Sequence, residues 1–133
     1  MGVDFAPYPP SYSHHHTMGD RPVFQRDHSE LIPGTLDLLV LKAVAHGRKH
    51  GYGIAEHVNT VSRSVLRVGE SSLYPALQRL LLDGFVKAEW GISENNRRAR
   101  YYTITAAGRK QLALEQQGFE RVVRAIQLVL SHA

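Results

Sequence analysis

The sequence predicts a mainly helical fold with a small β-wing, that is, a winged helix-turn-helix followed by a long C-terminal helix. Three observations lead to this fold class. Apolar residues recur at helical spacing in three consecutive segments between residues 36 and 82. Two β-prone segments then flank the polar stretch 93–98, and a proline-free stretch with helical periodicity covers residues 105–132.

The composition favours a small binding or regulatory protein over a redox, secreted or membrane protein. The 133 residues include no cysteine, so disulfides, thiolate metal sites and iron–sulfur clusters are excluded. No apolar run approaches the roughly 20 residues that span a bilayer, and the first residues lack the pattern of a secretory signal, so we expect a cytoplasmic location and no membrane contact. After residue 33 the chain has 14 basic and 8 acidic side chains, which favours a polyanionic partner.

Residues 1–30 are predicted to be a disordered N-terminal extension. They contain four of the six prolines and the histidine tract 14–16, and they show no hydrophobic periodicity. A flexible extension is favoured over a metal-binding tract. We therefore expect a winged helix-turn-helix domain over residues 31–105 and a C-terminal dimerisation helix over residues 106–133.

The first helix is predicted to begin after Thr35, a suitable N-cap, and to end at about His46. Its main apolar stripe is accompanied by Leu38 and Leu41 on the opposite side. A helix that is apolar on both sides in so small a domain indicates contact with a second chain.

A glycine-punctuated turn leads to a second helix that is predicted to end near Ser62. His50 and Tyr52 open this helix, whose free N–H groups form a natural site for a DNA phosphate. A capping or packing role for His50 is an equally good interpretation. Residues 65–68 alternate in hydrophobicity and are predicted to form a short strand.

The third helix carries the chemistry expected of a DNA-reading helix. Ser71 or Ser72 is predicted to be its N-cap, and Pro75 requires the helix to begin within a few residues of it. Leucines 73, 77, 80 and 81 define the buried face. The predicted outer face consists of Ser72, Pro75, Ala76, Gln78 and Arg79. In a DNA major groove, Ser and Gln can bond to base edges and Arg can bind guanine through two hydrogen bonds.

Residues 86–90 and 100–104 are predicted to be the two strands of the wing. Arg97, Arg98 and Arg100 flank its tip and are candidates to neutralise phosphates or to enter a minor groove. A solvated charged turn is the alternative. Trp90 ends the first strand and is predicted to be a packing residue rather than a ligand platform.

The last helix has an apolar seam with a period of seven residues, which predicts homodimerisation. In a dimer, a two-fold axis would relate the two reading helices. The seam residues are Leu112, Phe119, Val122, Val123, Ile126 and Leu130, and with Leu38 and Leu41 they form the predicted contact between chains.

Five motifs, in the order in which they occur, resemble those of the PadR family of bacterial transcriptional regulators. They are PGTLDLL at 33–39, HGYGI at 50–54, SLYPAL at 72–77, GFV at 84–86 and RYYTITAAG at 100–108. The resemblance implies a cytoplasmic dimeric repressor that binds double-stranded DNA at a palindromic operator and is released by a small molecule or another signal.

The resemblance also implies roles for two aromatic residues. The hydroxyl of Tyr74, near the start of the reading helix, is expected to reach a DNA phosphate, with simple packing as the alternative. In the short branch of the family, an aromatic residue on the last helix lines a cavity between protomers that accepts flat, apolar ligands. Phe119 is therefore the candidate contact for a small apolar or aromatic effector.

Enzymatic activity, a cofactor and a metal site are not expected. No nucleophile, base and orienting group stand in a familiar arrangement, and the histidine spacing matches no familiar metal site. Two alternatives to the DNA-binding regulator stay open. One is a winged-helix module that binds protein, and the other is a regulator from a different winged-helix family.

Overall fold

A computed structural model describes residues 34–133, which form four helices and a three-stranded antiparallel sheet. In chain order the elements are α1 (Leu36–His46), β1 (Lys49–His50), α2 (Gly51–Val61), α3 (Glu70–Leu82), β2 (Val86–Ile92), β3 (Arg98–Ile104) and α4 (Ala106–Ser131). The predicted winged helix-turn-helix with a long C-terminal helix is confirmed. The predicted disordered extension and its histidine tract lie outside the described residues.

The wing is the hairpin of β2 and β3, which pair along their whole lengths. Its turn is closed by a hydrogen bond from the Ser93 N–H to the Arg97 carbonyl (2.7 Å). Asn96 in this turn has a left-handed backbone (φ 59°), a conformation that Asn tolerates better than most residues. The strands reach Ile92 and Arg98, two residues further towards the tip than the sequence predicted.

The third strand of the sheet is β1, which the sequence did not predict and which pairs with β3. Residues 65–68, predicted to be a strand, instead connect α2 to α3 without strand pairing. The N–H of Leu66 donates to the hydroxyl of Ser62 at the end of α2 (2.9 Å). The prediction of a strand is wrong because the backbone N–H of Leu66 bonds to the end of α2 instead of to a neighbouring strand.

Helix α3 begins at Glu70, earlier than its predicted serine cap allows. The N-cap is Gly69, whose carbonyl accepts a hydrogen bond from the Ser72 N–H (3.1 Å). Ser71 and Ser72 are therefore inside the helix, and so is Pro75. The extended backbone of Gly69 (φ −81°, ψ 156°) makes the turn into the helix without a side-chain cap, so the serine prediction is wrong.

The core forms where α1 packs against the other helices and β3. Its fully buried side chains include Val40, Leu41, Val44, Ile54, Val68, Leu73 and Leu77. Ala76, predicted to be on the outer face of α3, is also fully buried. Leu38, Leu41 and Leu112 are only 7%, 0% and 8% exposed, so the core of the single chain already covers them. Their predicted contact with a second chain is corrected accordingly.

The first turn of α4 is anchored to the start of the wing. The hydroxyl of Thr105 accepts a hydrogen bond from the Gly108 N–H (3.0 Å) and donates one to the Gly84 carbonyl (2.7 Å). The Thr105 N–H donates to the Phe85 carbonyl (3.0 Å). Thr105 is thus the N-cap that the sequence predicted, and its bonds bring the backbone of α4 close to that of residues 84–85.

The second half of α4 extends beyond the core and carries large exposed apolar side chains. They are Val122, Ile126, Leu128, Val129 and Leu130. Charged and polar residues alternate with them, and no helix within residues 34–133 is long and apolar enough to cross a membrane. Exposed apolar surface on this scale is typical of a helix that contacts another molecule.

Candidate nucleic-acid interface

The outward face of α3 is short-chained and uncharged. Ser71, Pro75, Gln78 and Leu82 are exposed and recur every three or four residues, so they share one side of the helix. Hydroxyl and amide groups can bond to base edges, and an apolar side chain can pack against a thymine methyl group. This face therefore has the size and chemistry to enter a major groove.

Arg79 does not project from this face in the way that the sequence predicted. Its Nε and Nη2 atoms donate to the two carboxylate oxygens of Asp37 in α1, at 3.3 and 2.7 Å. This hydrogen bonding raises the pKa of Arg79. Two N–H donors that Arg79 could use to bind guanine are thus bonded to Asp37. An exposed ion pair of this kind contributes only about 0–1 kcal/mol to the stability of the fold.

The hydroxyl of Tyr74 is buried, which contradicts its predicted contact with phosphate. The ring lies against Gly51 at the start of α2, where a Cβ would be 3.0 Å from the hydroxyl oxygen. Burial, with smaller effects of Glu70 and Tyr102, raises the pKa of Tyr74 to about 12. In this conformation Tyr74 joins α2 to α3 rather than facing a ligand.

The structure places His50 as the N-cap of α2. Its Nδ1 atom accepts a hydrogen bond from the Gly53 N–H (3.0 Å), and the side chain is buried. The capping interpretation is thus the one that the geometry supports, because the N–H that would bind a phosphate is already bonded. Tyr52 is exposed beside this cap and stays a candidate phosphate contact.

On one face of the wing, an arginine side chain lies over an exposed tryptophan ring. The guanidinium carbon of Arg98 lies 4.3 Å from the centre of the Trp90 ring. Burial raises the pKa of Tyr102, and the charge of Arg100 and its hydrogen bond to this tyrosine oppose that rise; Arg100 thus lies nearer the core than Arg98. Arg97 is exposed at the turn. The three predicted arginines therefore lie together on or beside the wing.

The opposite face of the wing holds a different arginine. The guanidinium of Arg48 lies 3.9 Å from the centre of the Tyr101 ring and pairs with Glu89 at 3.3 Å. Because Glu89 compensates its charge, this face offers less net positive charge than the face with Arg98.

Most of the predicted dimer seam lies along one open groove of about 830 Å³ between α1, α3 and α4. The predicted seam residues in its lining are Leu38, Phe119, Val122, Val123 and Ile126. Phe119 is half-buried against the core, whereas Val122 and Ile126 are 53% and 50% exposed. Leu130 lies further along α4 and is exposed. Ser71, Ser72, Pro75 and Arg79 form part of the opposite wall, so the groove reaches the outward face of the reading helix.

Two histidines outside these surfaces lie close together. The rings of His46 and His57 are 5.0 Å apart. Burial, followed by the charges of Lys49 and His46, lowers the pKa of His57. Within residues 34–133, no three histidine, aspartate or glutamate side chains are grouped to hold a metal ion.

Residues 40–114 match the model of the transcriptional regulator PadR-like family. The protein belongs to this family. It is 32% identical over 89 residues to the transcriptional regulator Rv3488 of Mycobacterium tuberculosis, a match that covers 67% of this chain and 79% of that protein. A solved transcriptional regulator from Clostridium thermocellum is 29% identical with a TM-score of 0.65, and the match covers 72% of this chain and 93% of that one.

The PadR-like fold is also found in the structure of Bacillus subtilis PadR in complex with operator DNA. That protein is 24% identical, with a TM-score of 0.53. The match covers 59% of this chain and 45% of that one, so this chain spans less than half of its length.

Sequence reasoning missed two features of this PadR-family surface. Leu82 is exposed on the reading face, and its spacing of four from Gln78 and seven from Pro75 was the available signal. The pairing of Trp90 with Arg98 depends on the register of the wing. A hairpin drawn symmetrically about its Asn-Asn tip would have paired Trp90 with Tyr101 and placed Arg98 on the opposite face, whereas the observed register pairs Trp90 with Arg100.

Proposed function

We propose that this PadR-family protein is a cytoplasmic, dimeric, sequence-specific DNA-binding repressor that a small molecule or another signal releases from a palindromic operator. One observation carries the proposal. The exposed face of α3 is short-chained and uncharged, with hydroxyl and amide groups, and the same domain has a wing with three arginines. A major-groove reader needs the first of these, and attraction to the phosphate backbone needs the second.

The reading role belongs to the outward residues Ser71, Gln78 and Leu82. They can approach bases because all three are exposed and share one side of the helix. The wing arginines supply attraction that does not depend on sequence. The operator complex of the structurally similar Bacillus subtilis PadR supports this use of the fold.

The dimer role belongs to the groove side of α4. Val122 and Ile126 are half-exposed apolar residues one turn apart, next to the half-buried Phe119. Covering them with the same helix of a second copy would remove apolar surface from water at about 25 cal/mol per Å². The groove between these helices, with Phe119 in its wall, is the proposed place for a flat apolar effector.

Selection of bound duplexes from a random pool tests the proposed function. We expect enrichment of a palindromic motif, with half-sites about one helical turn apart or a multiple of it. Binding should weaken steeply as salt rises. A pool without enrichment would contradict sequence-specific reading and favour the protein-binding module, and a motif without two-fold symmetry would contradict the dimer.

The wing arginines are expected to contact phosphate. Replacing Arg97 and Arg98 by Ala should weaken binding to all duplexes similarly and reduce the slope of log K against log salt by about 0.9 for each lost contact. The matched control replaces Arg121 and Arg124 of α4, which removes the same charge away from the wing. A wing variant with the slope of the wild type would show that the wing does not touch DNA.

Sequence preference is expected to depend on Gln78 more than on Arg79. Replacing Gln78 by Ala should relax the preference at one base pair of each half-site, at about 1–3 kcal/mol on the preferred site. Arg79→Ala should change affinity evenly, because this guanidinium is bonded to Asp37. The affinity of both variants for every single-base variant of the selected operator measures these effects. A relaxed profile for Arg79→Ala alone would return the reading role to Arg79.

A further inference from the structure

Trp90 is the single tryptophan of the chain and is not a core residue. Its side chain is 45% exposed, and the next residue on the same face of β2, Ile92, is 65% exposed. On this face the core is built by Val86 and Tyr102, nearer the base of the wing. The Trp90 ring lies at the outer end of the wing and therefore contributes little to the packing of the core.

The contact that Trp90 does make is with Arg98. Ile92 lies opposite Arg98 in the hairpin, and Trp90 lies opposite Arg100, so Trp90 and Arg98 are diagonal neighbours on one face. The guanidinium carbon is 4.3 Å from the centre of the ring. A side chain with many rotamers is thus held against a rigid strand.

This contact leaves the hydrogen-bonding capacity of Arg98 available. A guanidinium stacks on an aromatic ring through its face, whereas its five N–H donors lie in its plane. By contrast, Arg79 has two donors on Asp37, and Arg48 is paired with Glu89. Within residues 34–133, the contact seen for the Arg98 guanidinium is the one with the Trp90 ring.

We propose that Trp90 positions Arg98 for contact with the sugar–phosphate backbone of DNA, and that the two side chains act as one unit. The proposal rests on the proposed DNA-binding function and names the part of the wing that performs it. Arg98 donates to phosphate oxygens, and the exposed part of the indole packs against the adjacent deoxyribose. Because Arg98 is already ordered, its binding loses less side-chain freedom than that of an unsupported arginine.

Four variants test this unit against the operator obtained by selection. Trp90→Ala and Arg98→Ala are each expected to weaken binding about three- to tenfold, and the double variant should be little weaker than either. Trp90→Phe, which keeps a flat ring, should recover most of the affinity. The salt slope of Trp90→Ala should fall towards that of Arg98→Ala, which a purely structural role of the ring would not cause. The matched control is Arg48→Ala, which removes an arginine–aromatic contact on the opposite face and should leave the salt slope unchanged.

The fluorescence of Trp90 gives a second, independent measurement, because no other tryptophan contributes. Saturating wild-type protein with operator should change its intensity or emission maximum, and the change should be smaller in Arg98→Ala. The proposal is overturned if Trp90→Ala keeps the affinity and salt slope of the wild type while Arg98→Ala loses them. It is also overturned if operator leaves the fluorescence unchanged. Failure of the wild type to bind any duplex would instead refute the proposed function.

Discussion

Replacing Phe119 and Ile126 together by Asp is expected to convert the protein from a dimer into a monomer of 14.9 kDa. Both residues line the groove side of α4, where the second chain is proposed to pack. Each new carboxylate would be buried without a partner in the dimer, at about 3–5 kcal/mol for an uncompensated charge. In the monomer, Ile126 is half exposed, so at that position the charge would remain in water.

Sedimentation equilibrium measures this change, and circular dichroism checks that the variant stays folded. The matched control replaces Leu114 and Leu128 by Asp. These residues are exposed on the other side of α4, so this variant should remain a dimer. Loss of the dimer should also weaken binding to a palindromic operator by about 100-fold or more, because two linked half-sites are no longer occupied together. An intact dimer in the Phe119 and Ile126 variant would refute the proposed seam, and a monomeric wild type would refute the dimer itself.

Replacing Gly108 by Ala is expected to have the largest effect on stability of any single methyl group added to the chain. An added Cβ would overlap the Phe85 carbonyl oxygen and lie 2.8 Å from Cγ1 of Ile104. The obstacle is backbone, which α4 can avoid only by moving off the wing and losing the bonds of Thr105. We expect a loss of about 3 kcal/mol or more, at the upper end for atoms added to a packed region.

Gly118 provides the matched control within the same helix. Apart from the backbone of α4 itself, no atom of the described residues lies within 4 Å of a Cβ added there. Gly118 also lines the groove at which the second chain is proposed to pack, so both variants are compared at a concentration at which the protein is monomeric. There Gly118→Ala should raise the free energy of unfolding by about 0.5–1 kcal/mol through helix propensity. Urea unfolding of both variants at this one concentration, chosen because dimerisation adds to stability, measures the difference. A Gly108→Ala variant as stable as the wild type would show that α4 docks without the close approach seen here.

Much of the fold follows from local patterns in the sequence. Helical spacing of leucines indicated α3, the polar stretch between two β-prone segments indicated the wing, and Thr105 was recognisable as an N-cap. These predictions succeeded because each depends on residues within a few positions of one another, whose burial or capping is decided by one turn or one hairpin. The motifs that resemble the PadR family are local in the same sense, since each is a short contiguous segment.

The details of the candidate interface depend on residues that are far apart in sequence. Asp37 and Arg79 are separated by 42 positions, and their ion pair turns a predicted base-reading side chain towards α1. The hydroxyl of Tyr74 is buried because α2 lies over it. Strand β1 forms because Lys49 and His50 lie beside β3. Local spacing carries no information on such contacts.

The sequence by itself determined the order of the four helices and the two wing strands, the leucine face of α3 and the apolar seam of α4. Only the tertiary structure decided which of these side chains remain available. It placed Leu41 and Leu112 in the core, bonded Arg79 to Asp37 and set Arg98 on Trp90 with its donors exposed. The physical reason is that periodicity selects a face of a helix or strand, whereas availability for a ligand depends on every other element that packs against that face.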